Sequence, residues 1–214
     1  MSVIAPSVTV ETAEQFQATL ERIQPFAQRV HIDISDGEFA PVFLLPIGQL
    51  SWPPQWQVDI HAMVARPGDV LQALIAKKPN LIIFHAEVTG DRVAIINQIK
   101  QAGIKAGVAL LKTTVPADIA EVIRAVDHVM IFSGDLGKYG GTASLMQLEK
   151  VRLIKAINPN VEIGWDGGVT LENAYTLTQG GVDVLNTGSA LANTDNPAGT
   201  YEALVKEINK HGVI

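Results

Sequence analysis

Short apolar runs rich in β-branched residues recur along the chain, and longer segments with helical spacing of apolar residues separate most of them. The runs predict eight strands, at Val3–Thr9, Arg29–Asp33, Gln57–His61, Leu81–His85, Lys105–Leu111, His128–Phe132, Val161–Trp165 and Val182–Asn186. The intervening patterns predict seven helices, at Glu11–Ile23, Pro67–Lys77, Asp91–Ala102, Pro116–Ala125, Ser144–Ile157, Leu171–Thr178 and Pro197–Lys210. This alternation is typical of an α/β fold with a parallel sheet.

Two architectures fit the alternation, a (β/α)8 TIM barrel and a doubly wound open sheet. The open sheet usually carries a Gly-x-Gly-x-x-Gly turn after its first strand, and this chain has none there. Eight strands in 214 residues leave about 27 residues for each unit, near the lower size limit of the barrel. The proline-rich stretch Val42–Trp56 leaves room for little regular helix. Because no segment has the character of a linker, we predict a single (β/α)8 TIM barrel domain over residues 1–214.

The composition narrows the chemistry that the chain can perform. The absence of cysteine excludes disulfides, thiolate zinc sites, iron–sulfur clusters and a cysteine nucleophile, and it favours a reducing compartment. The formal charge of −6 argues against a nucleic-acid partner, which usually requires a basic surface. The opening stretch MSVIAPSVTV has no basic residue before its apolar residues, and no apolar run reaches the roughly 18 residues of a membrane span. We therefore expect a cytoplasmic protein without a membrane partner.

A candidate metal site follows from polar residues at the strand ends, where a TIM barrel carries its chemistry. His31 and Asp33 are two apart on a strand, so their side chains face the same way. His61 can join them from the next strand, and Asp166 can join them from the end of the seventh. Two histidines and two carboxylates form a set that a divalent transition metal accepts. The alternative is that the histidines are hydrogen-bonded core residues and the carboxylates are solvated loop ends.

Two further pairs, His85 with Glu87 and Asp59 with His61, share a face in the same way. A metal-bound imidazole needs a partner for its second nitrogen, and an inward Asp59 or Glu87 could supply one. Either pair could instead fill a polar layer of the barrel.

Glycines follow the last three strands and predict a phosphate site, because glycine lets backbone N–H groups approach an anion closely. They are Gly140-Gly141, Gly167-Gly168 and Gly188-Ser189. Any one pair could also be an ordinary turn.

Two lysines offer other chemistry. Lys112 ends the fifth strand and could be a Schiff-base nucleophile of an aldolase, a phosphate contact or a solvated charge. Lys138, in the long loop after the sixth strand, is expected to contact phosphate or to belong to a lid.

Several short segments, in order along nearly the whole chain, resemble ribulose-phosphate 3-epimerases. They are Ile4-Ala-Pro-Ser7, His31-Ile-Asp33-Ile-Ser-Asp36-Gly37-Glu-Phe39-Ala-Pro41, Asp59-Ile-His61-Ala-Met63-Val64, His85-Ala-Glu87 and Asp166-Gly167-Gly168. The resemblance implies a barrel that holds one divalent metal ion (Zn, Fe, Mn or Co) on the four ligands named above. It also implies that Asp33 and Asp166 are the acid and base that epimerise a phosphorylated ketose. One removes the proton beside the ketone, giving an enediolate that the metal stabilises, and the other returns a proton to the opposite face.

The same resemblance assigns the substrate contacts. Ser7 and Met63 would line the pocket, and the phosphate would be received by Gly140, Gly141, Gly167, Gly168, Gly188 and Ser189. The expected partner is a sugar phosphate of the ribulose 5-phosphate and xylulose 5-phosphate type. We also expect a homo-oligomer, either a dimer or a hexamer.

The chain departs from the family pattern at positions that shape the pocket. They are Ser35, Val42, Ala62, Leu111-Lys112-Thr113, the loop Ser133–Tyr139 and Trp165. The departures leave three alternatives open: a hexulose-phosphate epimerase, a carbon–carbon lyase, and a barrel that binds a sugar phosphate without turning it over. The related lyases carry Asp-x-Lys-x-x-Asp, and the stretch Asp59–Val64 lacks both the lysine and the second acid.

Overall fold

Eight parallel strands form a closed barrel in chain order, from β1 to β8, in the computed structural model, which describes residues 2–138 and 140–210. The strands are β1 (Val3–Val8), β2 (Arg29–Ser35), β3 (Gln57–Met63), β4 (Leu81–His85), β5 (Lys105–Leu110), β6 (His128–Phe132), β7 (Glu162–Asp166) and β8 (Val184–Thr187). Pairing of β1 with β8 completes the ring. The predicted barrel and its eight strands are therefore confirmed.

Helices follow the strands around the outside of the barrel. They are α1 (Ala13–Ile23), α2 (Pro67–Ala76), α3 (Arg92–Gln101), α4 (Ala120–Ala125), α5 (Glu149–Ile157), α6 (Leu171–Gln179), α7 (Ser189–Ala192) and α8 (Pro197–Ile208). Seven of them match the predicted helices, and the single-turn α7 was not predicted. In the proline-rich stretch after β2 the only helical element is the 3-10 turn Ile47–Gln49, as expected.

Local sequence explains the helix starts. Thr12 caps α1, because its side chain accepts from the backbone of Gln15 while the Gln15 side chain accepts from the backbone of Thr12. Pro67 and Pro197 occupy the first turns of α2 and α8. N–H groups in the first turn have no carbonyl partner within the helix, so proline costs no helical hydrogen bond there.

The buried apolar residues form three clusters: a large one between the barrel and the helices, a smaller one inside the barrel, and a third made of Ala40, Leu44 and Met63. The inner core consists of Leu81, Ile83, Ala109, Met130 and Phe132. These residues lie on β4, β5 and β6.

The amino ends of the strands are closed by a charged cluster around Arg29, which we call the floor cluster (Arg29, Asp59, Glu162 and His128). Arg29 Nε lies 2.6 Å from Asp59 Oδ2, and its two terminal nitrogens each lie 2.8 Å from an oxygen of Glu162. His128 Nδ1 donates to Glu162 Oε2 at 2.8 Å. The floor cluster therefore joins β2, β3, β6 and β7 from inside the barrel.

Among the residues that the structure describes, none of the helices has the length and apolar character needed to cross a lipid bilayer.

Candidate active site at the carboxyl ends of the strands

The four predicted metal ligands converge inside the barrel near its carboxyl end. Asp33 Oδ1 lies 2.8 Å from His61 Nδ1 and 3.2 Å from His31 Nε2. Asp166 Oδ2 lies 3.9 Å from each of these two nitrogens. One ligand atom from each side chain falls within 4.8 Å of the other three. Strand pairing explains the convergence, because Asp33 is in register with His61 on the neighbouring strand.

His31 has buried ring nitrogens, and one of them could engage a metal ion. Its side chain is completely buried, and neither ring nitrogen makes an aligned hydrogen bond within the described part of the chain. A buried polar atom without a partner is costly, so core histidines are normally hydrogen-bonded. A divalent ion between His31 Nε2, His61 Nδ1 and the two carboxylates would satisfy this nitrogen.

The pKa values of the two carboxyl groups shift in opposite directions. Burial alone would raise the pKa of Asp33, but attraction to His31 and His61 and the hydrogen bond with His61 Nδ1 lower it below its usual value. Burial raises the pKa of Asp166, attraction to His31 and His61 offsets part of the increase, and repulsion from Asp33 adds to it. Thr9 reinforces the difference, because its hydroxyl donates to Asp33 Oδ2. Asp33 is therefore the carboxylate that stays ionised, and Asp166 is the one that holds a proton more readily.

A chain of contacts orients the His61 ring from behind. His61 Nε2 lies 2.9 Å from His85 Nε2, and His85 Nδ1 lies 3.3 Å from Glu87 Oε2, although that N–H is poorly aligned. Glu87 in turn accepts hydrogen bonds from the Leu111 backbone N–H at 3.1 Å and from the Thr114 hydroxyl. Burial lowers the pKa of His85 to about 4, so this ring is neutral at physiological pH.

The second expected support, Asp59, contacts no histidine within the part of the chain that the structure describes. Its two oxygens accept from Arg29 at 2.6 Å and from Asn80 at 3.0 Å. The expectation was therefore wrong for Asp59, which belongs to the floor cluster.

A cavity of about 630 Å³ opens over the two carboxylates. Ser7 and Met63 line it, as the resemblance implies, together with Thr9, Phe132 and Asn186. Five of the six predicted phosphate residues also line it: Gly140, Gly167, Gly168, Gly188 and Ser189. Gly141 lines a smaller adjoining cavity of about 160 Å³.

Close packing alone requires glycine at positions 167 and 168. Both have positive φ, at 103° and 70°, and a Cβ would meet the backbone nitrogens of Gly134 and Ala143 at 2.3 and 2.2 Å. These glycines therefore let the loop after β7 pack against the loop after β6. Their phosphate role stays a prediction.

Lys112 lies at the rim, away from the carboxylates. Its ammonium group pairs with Asp135, and it lines the smaller cavity rather than the one that contains Asp33. This position gives no support to a Schiff-base role. Lys138 is exposed and lines both cavities, so it is near enough to contact a ligand.

Sequence reasoning missed two residues of the site, Thr9 and Asn186. Thr9 could have been found, because it is two residues from Ser7 on one strand and therefore faces the same way. Asn186 ends a predicted strand, but nothing in the sequence distinguishes it from a loop residue.

Comparison with known proteins gives a consistent result. A model of the ribulose-phosphate 3 epimerase family matches residues 3–192. The ribulose-phosphate 3-epimerase of Helicobacter pylori (strain ATCC 700392 / 26695) is 31% identical over 197 residues, covering 87% of this chain and 88% of that protein. The chloroplastic ribulose-5-phosphate-3-epimerase of Arabidopsis thaliana is 32% identical over 174 residues, covering 76% and 61%.

Solved structures similar to this chain share its fold at low identity. The 3-keto-L-gulonate-6-phosphate decarboxylase of Vibrio cholerae superposes with a TM-score of 0.74 at 13% identity over 97% of both chains. The 3-hexulose-6-phosphate synthase of Salmonella typhimurium gives 0.72 at 14% identity over 98% of this chain and 100% of that one. At such identities the likeness bears on the fold alone.

Proposed function

The chain belongs to the ribulose-phosphate 3-epimerase family, and we propose that it is a metal-dependent 3-epimerase of a phosphorylated ketose of the ribulose 5-phosphate and xylulose 5-phosphate type. The observation that carries this proposal is the pair of carboxylates, Asp33 and Asp166, beside two buried histidines under one cavity. A single-base enzyme would not need the second carboxylate.

The carboxylates divide the proton transfer between them. Either carboxylate can accept the proton from the carbon beside the ketone. The other can then return one to the opposite face of the resulting enediolate. The roles exchange in the reverse direction, so one site serves both epimers.

A divalent ion would be held by His31 Nε2, His61 Nδ1, Asp33 and Asp166, and it would supply a Lewis acid that polarises the ketone. With Nδ1 of His61 used in this way, its ring proton must be on Nε2. That proton is donated to the neutral His85, whose own proton then faces Glu87. The chain from His61 to Glu87 thus selects the tautomer that binds a metal.

The phosphate group of the substrate would lie against the glycine loops after β6, β7 and β8, where backbone N–H groups and Ser189 can donate to it. This arrangement places the ketose chain between the loops and the carboxylates. It also holds an anion without a basic surface, in agreement with the net charge of −6.

Deuterium exchange tests the proposal. Metal-loaded protein in D₂O is expected to introduce deuterium at C3 of ribulose 5-phosphate. Asp33→Asn and Asp166→Asn should each slow exchange by at least about 100-fold, because each removes one acid–base group. Both variants should also lose bound metal, measured by elemental analysis. Asp69→Asn, the same change on an exposed part of α2, is the matched control and should leave exchange unchanged.

The substrate panel decides between the proposal and its alternatives. It includes xylulose 5-phosphate and a hexulose 6-phosphate, so exchange with the hexulose alone would redirect the assignment to a hexulose-phosphate epimerase. Absence of exchange with every ketose phosphate, in protein that contains metal, would overturn the epimerase.

A further inference from the structure

Asn186 is a polar side chain enclosed in the barrel next to Asp166. It lies on β8, is 3% exposed, and pairs in register with Asp166 of β7. Neighbouring strands are about 4.8 Å apart, and residues in register face the same side of a sheet. Asn186 and Asp166 accordingly line the same cavity.

The amide of Asn186 has poor partners for a buried group. Its Nδ2 donates to the Met130 sulfur at 3.2 Å, and a thioether is a weak acceptor. Its Oδ1 is buried and has no hydrogen-bond partner among the described residues. Burying an unpaired amide oxygen costs about 1–3 kcal/mol, whereas an apolar residue here would continue the inner core. The fold alone therefore gives no reason for an asparagine at this position.

A ligand would supply the reason. The amide presents a free acceptor and, since only one of its two N–H groups meets Met130, a free donor. A hydroxyl group both donates and accepts, so it matches this amide. Because Asp166 is proposed to transfer a proton at C3, the hydroxyl groups within reach of Asn186 belong to the carbons around that centre.

We propose that Asn186 hydrogen-bonds the C1 or the C4 hydroxyl group of the ketose chain, near the reacting C3, and is thereby a specificity-determining residue of the site. This inference rests on the proposed function, because it takes the occupant of the cavity to be a ketose phosphate. It assigns a substrate contact that neither the metal ligands nor the phosphate loops provide.

Binding of the equilibrated mixture of ribulose 5-phosphate and xylulose 5-phosphate tests the inference, because turnover leaves the composition of that mixture unchanged. Asn186→Val removes the amide while keeping a strand-forming side chain of similar size. Calorimetry with metal-loaded protein should show about tenfold weaker binding of this mixture, which is the effect of one lost hydrogen bond in a buried site. Thr187→Val is the matched control: Thr187 is the next residue of β8, is equally buried and lies outside the cavity lining, so the affinity should not change.

Substrate analogues identify the hydroxyl group. The wild type and Asn186→Val should bind one of two analogues, 1-deoxyxylulose 5-phosphate or 4-deoxyxylulose 5-phosphate, with equal affinity, because that analogue lacks the group that Asn186 binds. The other analogue should retain the tenfold difference. Stability distinguishes a structural role of Asn186 from a role in substrate binding. Urea denaturation should show that Asn186→Val is at least as stable as the wild type.

Two results would overturn the inference. One is unchanged affinity for the equilibrated mixture in Asn186→Val, and the other is a tenfold loss that persists with both deoxy analogues. If Asn186→Val does not fold, Asn186→Ala takes its place in the affinity comparison, with the same tenfold loss expected. A wild-type protein that binds metal but none of the ketose phosphates would overturn the proposed function and this inference together.

Discussion

His61 illustrates how the site depends on single side chains. Its Nδ1 faces the carboxylates while Nε2 contacts His85, which Glu87 supports in turn. The sequence indicated His31, Asp33, His61 and Asp166 because strand periodicity reveals which residues face the same way. It did not reveal their depth along the barrel axis, and for that reason Asp59 was wrongly expected to support a histidine.

Glu87→Gln tests this support at the scale of one residue. Loss of the carboxylate charge should weaken metal binding about tenfold, because partners of ligating histidines typically have effects of this order. Competition with a chelator measures the affinity directly and needs no turnover. Glu38→Gln, which removes an exposed carboxylate paired with Arg66, should leave the affinity unchanged. Equal metal affinity in the two variants would contradict the role given to Glu87.

At the scale of the elements, the strands were predicted to within about two residues at each end. The prediction ended β2 and β3 at the polar pair Asp33 and His61, whereas both strands continue to Ser35 and Met63. Their pairing is continuous from Arg29 with Gln57 up to that end, and backbone pairing of this kind leaves no mark in the hydrophobic pattern. The single-turn α7 was missed for a similar reason, because four residues are too short for helical periodicity.

The loop after β7 makes a prediction at this scale. Gly168→Ala should lower the free energy of unfolding by about 2–4 kcal/mol, since it adds strain at positive φ and a clash with the Ala143 backbone. Gly103→Ala is the matched control, because its φ is also positive, at 76°, but its Cβ would meet nothing within 4 Å. It should cost only about 1–2 kcal/mol. Urea denaturation compares the two, and equal losses would show that the close approach of the loops is unimportant.

At the scale of the whole molecule, the barrel separates a charged floor from a reactive mouth. Arg29 reaches across the interior to Asp59 and Glu162, so the floor cluster connects strands that are far apart in the sequence. The predicted single domain and the predicted dimer or hexamer stay predictions, and light scattering of the purified protein checks the second. The floor cluster was not predicted, because a charged residue at the start of a strand has the same sequence pattern whether it is buried or exposed to solvent.

The floor cluster makes the free energy of unfolding depend on pH in the acidic range. Burial alone would raise the pKa of Glu162, but hydrogen bonds to Arg29 and His128 lower it below the usual 4.5. Glu162 therefore stabilises the fold above about pH 4.5, and this contribution is lost as the pH falls through its folded-state pKa. Glu162→Gln should cost about 2 kcal/mol at pH 7, measured by urea denaturation. The gap from the wild type should narrow below pH 4.5, and a gap independent of pH would contradict this account.

Strand β7 contributes one residue to the floor cluster and one to the active site. Glu162 and Asp166 are its first and last residues, which places them about 13 Å apart along an extended strand. Substitutions separated by more than about 10 Å without shared partners usually have additive effects. A protein engineer can therefore change residues around the active site to accept another sugar without destabilising the floor cluster. Substitutions that stabilise the floor cluster should likewise leave the reaction unchanged.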